Sequence, residues 1–217
     1  MGLKNAIFIA VLVCACFGRV FAAYPLATDD AGTVSHNSFE LEAGYDNSMD
    51  HDNLTSQASA FSFKHGVTER LDVGIAVPYQ IKPSRDERMG AASMVFKFSL
   101  VKDAVAMTFS NELGEKAYFL NAIYTKEFPG IKLNFNAGYL STGDESKKGT
   151  GSYGLALAYP MGKYEAVGEV QGQDGGEGNA LLGLRYHIRK PLFIATGVGR
   201  DLGSGNYCFN AGFHFEF

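Results

Sequence analysis

The 217-residue chain reads as an all-β protein, a closed antiparallel transmembrane β-barrel of about 12 strands wound as an up-and-down meander. Three observations predict it. Apolar and polar residues alternate with period two in segment after segment. Past the N-terminal stretch, no apolar run approaches the roughly 20 residues that a spanning helix needs. The chain also ends on an aromatic strand whose last residue is Phe217.

The final strand shows the alternation best. Its odd positions are Tyr207, Phe209, Ala211, Phe213, Phe215 and Phe217, and its even ones Cys208, Asn210, Gly212, His214 and Glu216. One face is apolar and mostly aromatic, the other small or polar. A soluble sandwich would bury the apolar face under a second sheet. A terminal Phe behind Phe213 and Phe215 is instead the pattern that barrel-assembly machinery recognises, so these residues are assigned as the assembly signal and that machinery as a partner.

The other strands follow in order. Residues 39–46 place Phe39, Leu41, Ala43 and Tyr45 toward lipid, with Glu40, Glu42 and Asp46 inward. Residues 57–65 follow, then 71–81, which set Leu71, Val73, Ile75 and Val77 against Asp72, Gly74 and Ala76. Next come 93–100 with Lys97 inward, 105–113 with Thr108, Ser110 and Glu112 inward, 117–128, 132–140, 152–159, 164–171, 180–188 and 192–200. The count is even, as a single-chain bacterial barrel requires. Connections at 66–70, 101–104, 129–130, 160–163 and 189–191 are short, whereas those at 47–56, 82–89, 141–151 and 172–179 are longer and polar. Short turns belong on the periplasmic side, which puts both termini there. Closure is demanded because an open edge would leave backbone N–H and C=O groups unpaired in hydrocarbon.

The N-terminus carries Lys4, an apolar run at 6–17 and the small-residue pattern Val20-Phe21-Ala22. These are the parts of a secretory signal peptide. Residues 1–22 are expected to be removed on export, leaving 23–217 as one barrel domain in the cell outer membrane. Cys14 and Cys16 make a weaker match to a lipoprotein site, since a cysteine just before the small residue is unusual.

Composition narrows the partners. With 19 basic and 23 acidic residues and a net charge of −4, the chain lacks the basic footprint of a nucleic-acid binder. Outer-membrane lipid is the expected surroundings. Seventeen Phe, 11 Tyr and 26 Gly against six Pro suit strands joined by tight turns. Cys208 alone of the three cysteines lies beyond the signal, so no disulfide forms within the barrel domain. No pattern calls for a cofactor or metal. Asp50-His51-Asp52 are adjacent and cannot all converge on one ion, and 172–178 lacks the spacing of a phosphate loop.

The inward set holds Glu40, Glu42, Asp72, Lys97, Glu112, Glu169, Arg185, His187, His214 and Glu216. Of these, Glu42, Asp72, Lys97, Glu112, Glu169, Arg185 and His214 are assigned as lumen-lining. Lys97, Arg185, Asp72, Glu112 and Glu169 are expected on strand interiors, paired across the barrel. Such a lining suits either a narrow water-filled path for a small solute or a plug built of ion pairs. A strand count between about 8 and 16 favours the narrow channel. An outer-membrane lipid-modifying enzyme is the third reading, but Ser141, Ser152, His187 and His214 stand in no nucleophile context.

Several segments together resemble the outer-membrane β-barrel family named for the meta-pathway of phenol degradation. They are Pro25-Leu26-Ala27-Thr28-Asp29-Asp30-Ala31-Gly32-Thr33 followed by Phe39-Glu40-Leu41-Glu42, then Gly66-Val67-Thr68-Glu69-Arg70-Leu71-Asp72-Val73-Gly74 with Val77-Pro78-Tyr79. Asn136-Ala137-Gly138-Tyr139, Tyr153-Gly154-Leu155-Ala156, Gly183-Leu184-Arg185-Tyr186 and Gly197-Val198-Gly199-Arg200 complete the ordered set. The resemblance implies a porin-like barrel and transport of aromatic or hydrophobic compounds. The chain departs from the family pattern at Gly90-Ala91 and at Leu113-Gly114-Glu115.

Overall fold

A computed structural model of the chain describes residues 23–49, 55–84, 88–144, 146–176 and 178–217. The expected signal peptide and Asp50-His51-Asp52 lie outside the described residues. The strands are β1 (Phe39–Met49), β2 (Thr55–Thr68), β3 (Leu71–Lys82), β4 (Ser93–Val101), β5 (Val105–Glu112), β6 (Tyr118–Phe128), β7 (Ile131–Ser141), β8 (Thr150–Met161), β9 (Tyr164–Gln173), β10 (Asn179–Arg189), β11 (Leu192–Asp201) and β12 (Tyr207–Glu216). Each pairs with its chain neighbours, and β1 closes on β12 to give a barrel of 12 strands. This is the predicted meander. Most strands run one to three residues beyond the alternating core read from sequence, because pairing continues into the polar rim.

Closure is completed by the last residue. Phe39 N–H donates to the Phe217 carbonyl and Phe217 N–H to that of Phe39, both at 2.8 Å. The Phe39 and Phe217 rings lie 5.9 Å apart. The assigned assembly residues Phe213 and Phe215 therefore stand on the closing strand, opposite Ala43 and Leu41. The ladder is shortest between β3 and β4, where it covers Leu71–Ala76 against Ser93–Phe98. Beyond it, Gly90 N–H donates to the Pro78 carbonyl and Gln80 N–H to that of Arg88, so the edge stays paired.

The two faces follow the predicted parity. Phe61, Phe96, Leu120, Leu155, Leu182 and Ile194 are exposed outside, as lipid contact requires. Tyr153 and Tyr207 lie near the loop end of the wall, and Phe128, Tyr159 and Tyr164 near the tight-turn end. This is the pair of aromatic girdles seen where a barrel meets the two membrane surfaces.

The core lies inside the barrel, on a piece of chain that precedes β1. Residues 23–38 enter the lumen and make nearly a full circuit of its wall. Leu26 packs on Ala156, Ala158, Val167 and Leu181. Tyr24 packs on Phe193 and Ala195, and Ala31 on Ala106 and Ile123. Glycines make room for it. A Cβ on Gly44 would stand 1.7 Å from the Tyr24 ring, and one on Gly183 would stand 2.6 Å from Pro25.

Candidate functional site, the occupied lumen

The lumen side chains and the threaded segment form one polar network. Glu169 of β9 accepts from the backbone N–H groups of Ala27 (2.9 and 3.0 Å) and Thr28 (2.7 Å). Asp72 of β3 accepts from Val34 N–H at 3.0 Å, and Glu216 from Ser35 N–H at 3.1 Å. Arg185 of β10 donates to the carbonyls of Ala23 (2.6 Å) and Tyr24 (2.8 Å), and pairs with Glu165 at 2.8 Å. The segment runs irregularly, so its backbone groups have no ladder. Acids of the wall take its N–H groups and a guanidinium takes its carbonyls, as buried backbone demands.

The segment returns charge to the wall. Asp29 accepts from Lys97 Nζ at 3.0 Å, and Asp30 from Lys132 Nζ at 2.7 Å. Lys97 also lies 3.9 Å from Asp30. Around them, Asn136 accepts from Asp29 N–H (2.9 Å) and donates to its carbonyl (2.8 Å), and Thr125 accepts from Ala31 N–H at 2.8 Å. The Lys97–Asp29 pair is almost fully buried, and removing one partner of such a pair costs about 3–5 kcal/mol. The Lys132–Asp30 pair is a third exposed and is worth less.

These contacts bury much of the inner wall. Glu42, Asp72, Lys97, Glu169 and Asn210 are each at most 5 % exposed, although all point into the lumen. Water in an open pore would reach such side chains.

Five residues were expected to pair across the barrel, and here the reading needs correction. Lys97, Asp72 and Glu169 reach residues 23–38 instead, because that segment lies between the walls, whereas Arg185 binds both that segment and Glu165 of the neighbouring strand. Glu112 ends β5 at the rim rather than on a strand interior. His214 and Glu42 are in the lumen, with His214 Nδ1 3.2 Å from Glu42 and its ring stacked on Phe193.

Lys64, Lys132 and Glu165 were missed as inward residues, though Lys64 and Lys132 stand at readable inward parity, and Asp46 was read as inward without its partners. Lys64 lies 2.6 Å from Glu40 and 3.9 Å from Glu42. Glu40, Glu42 and His214 come close enough to hold a metal ion, yet the Lys64 ammonium already sits among the carboxylates, which makes the group an ion-pair cluster. Asp46 accepts from Tyr24 Oη at 3.0 Å and from the Asn210 amide.

Charge is unevenly distributed round the wall. Inward acids Glu40, Glu42, Asp46, Asp72, Glu165, Glu169 and Glu216 belong to β1, β3, β9 and β12. On β4 to β8 the inward charges are Lys97, amid Thr108, Asn121, Thr125, Asn134 and Asn136, and toward the tight-turn rim Lys132 with Glu127 opposite it, while Glu112 ends β5 at the other rim. The serines and histidines weighed for an enzyme do not converge. Ser141 and Ser152 lie at the loop end of β7 and β8, His187 and His214 at the opposite end of β10 and β12.

No family model and no curated protein matches the chain. The resemblance to the phenol meta-pathway family therefore rests on the sequence segments alone. Among solved structures the fold is similar to an outer membrane channel of Pseudomonas putida F1, at 15 % identity and a TM-score of 0.62, covering 87 % of this chain and 98 % of that one. The KdgM porin is 11 % identical with a TM-score of 0.60, over 81 % of this chain and 99 % of that one. The NanC porin is 8 % identical with a TM-score of 0.58, over 82 % and 98 %. At such identities the likeness is one of fold: the chain shares the barrel architecture of outer-membrane channels and porins.

Proposed function

We propose that the chain is an outer-membrane channel for small solutes, held shut by its own residues 23–38, which act as a displaceable gate. The observation that carries this reading is the chemistry of the plug. Wall charges hold it at both ends and in the middle, through groups that could equally well solvate a path or bind a solute once the segment moves. The architecture shared with porins, the outward apolar belt and the terminal Phe support an outer-membrane setting, with residues 1–22 as the export signal and 23–217 as the barrel. The likeness to the phenol meta-pathway family supports transport too, and suggests aromatic cargo.

A permanently plugged barrel is the second reading, favoured by the burial of Tyr24, Leu26, Ala31 and Val34 against the wall. One experiment separates the two. A Cβ on Gly154 would stand 3.5 Å from that of Thr28, within the span of a disulfide. In a Cys208→Ser background, Thr28→Cys with Gly154→Cys should stay silent in planar bilayers when oxidised and show stepwise conductance when reduced. Equal silence in both states and in wild type would favour the permanent plug.

A further inference from the structure

We propose that the β4–β7 face of the lumen is a binding site for a small solute bearing two carboxylates, and that Asp29-Asp30 occupies it as a tethered stand-in. The inference rests on reading the segment as a displaceable gate and names what displaces it.

The site is built for adjacent anions. Lys97 reaches both Asp29 and Asp30, at 3.0 and 3.9 Å, and Lys132 takes the far oxygen of Asp30 at 2.7 Å. Lys97, Thr108 and Asn121 stand directly opposite one another on three successive strands. Asn121 donates to Asn136, whose own amide holds the Asp29 backbone from both sides. Amides and hydroxyls in this number suit a ligand with oxygens beyond its carboxylates. Thr108 is 2 % exposed, and its Oγ1 has no hydrogen-bond partner among the described residues. An orphan hydroxyl beside an occupied ammonium means that the peptide uses part of the donor set and leaves part for another occupant.

Exchange of one anion for another sets the class of ligand. If the segment leaves without replacement, the Lys97 ammonium loses its nearest carboxylates inside a poorly hydrated lumen, which resists opening. If a dicarboxylate arrives as the segment leaves, each ammonium keeps an anion and that resistance vanishes. A monocarboxylate compensates one lysine, and an uncharged aromatic compensates neither. A ligand shifts the equilibrium by its differential affinity for the two states. Here that difference is the carboxylate it substitutes.

The test uses the Thr28→Cys, Gly154→Cys, Cys208→Ser protein in lipid, with succinate as probe against acetate and chloride at matched ionic strength. Succinate should slow disulfide formation severalfold and raise the open probability of the wild-type protein, while acetate and chloride do neither. Lys97→Met should abolish the succinate effect. If all three anions slow cross-linking alike, screening is responsible and the assignment falls. If none does, while Asp29→Asn with Asp30→Asn conducts, the gate stands but its ligand is not a dicarboxylate. If that double variant is silent as well, the gate reading fails and takes the site with it.

Discussion

Inward glycines read from sequence as the small face of a strand, and that was correct as far as it went. Gly44 and Gly212 oppose each other across the β1–β12 seam, and their missing side chains form the notch that takes the Tyr24 ring. The small face is legible in the sequence but what fills it is not, because residues 23–38 have no periodicity and their partners lie as far as 181 residues along the chain. Of the seven assigned lining residues, the parity of Lys97, Asp72 and Glu169 was legible; their partners were not. The notch also supplies a test. Val at position 44 is a better strand former than Gly, so the wall keeps its stability, yet its Cβ would meet Tyr24 at 1.7 Å. Gly44→Val should leave a heat-modifiable barrel while unseating the segment, seen as an open probability well above that of wild type and as new protease cleavage within 23–38. A silent, protease-resistant variant would show that the ring can be rehoused without freeing the chain.

Among the elements, the β1–β12 seam closes the barrel as the alternating strands predicted. The terminal Phe was singled out as an assembly signal, and in the barrel its backbone makes the last pair of hydrogen bonds with Phe39. Phe217→Asp puts a charge beside the aromatic cluster of Phe39, Phe215 and Phe217 and on the lipid-facing parity of the strand. The variant should accumulate unfolded in the periplasm and be degraded. A normal yield of heat-modifiable protein in the outer membrane would show that neither recognition nor closure depends on this ring. Strand edges were harder to read than strand cores, since polar rim residues such as Ser48, Thr55 and Gln173 pair as well as apolar ones but carry no alternation.

For the whole molecule, the excess of inward acids on β1, β3, β9 and β12 sets the sign of the open path. A protein lacking residues 24–35 should conduct with a cation-selective reversal potential under a salt gradient. Arg185→Ala in that background should make it more so, because Glu165 loses its 2.8 Å partner, and Glu169→Gln should shift it the other way. Unchanged potentials in both would mean that these groups do not border the conducting route. The sidedness of the lining has a consequence of its own. With seven carboxylates outnumbering Lys64 and Arg185 on the arc from β9 through β12 to β3, and Lys97 and Lys132 on the opposite wall, the electric field in a vacated lumen points largely across the direction of travel. Water there is aligned by the field and resists displacement by a body with no dipole to offer. A solute that can turn its own dipole into the field replaces that water at little loss, so the barrel would sort molecules by polarity as well as by girth, and a bare hydrocarbon ring would be the poorer passenger.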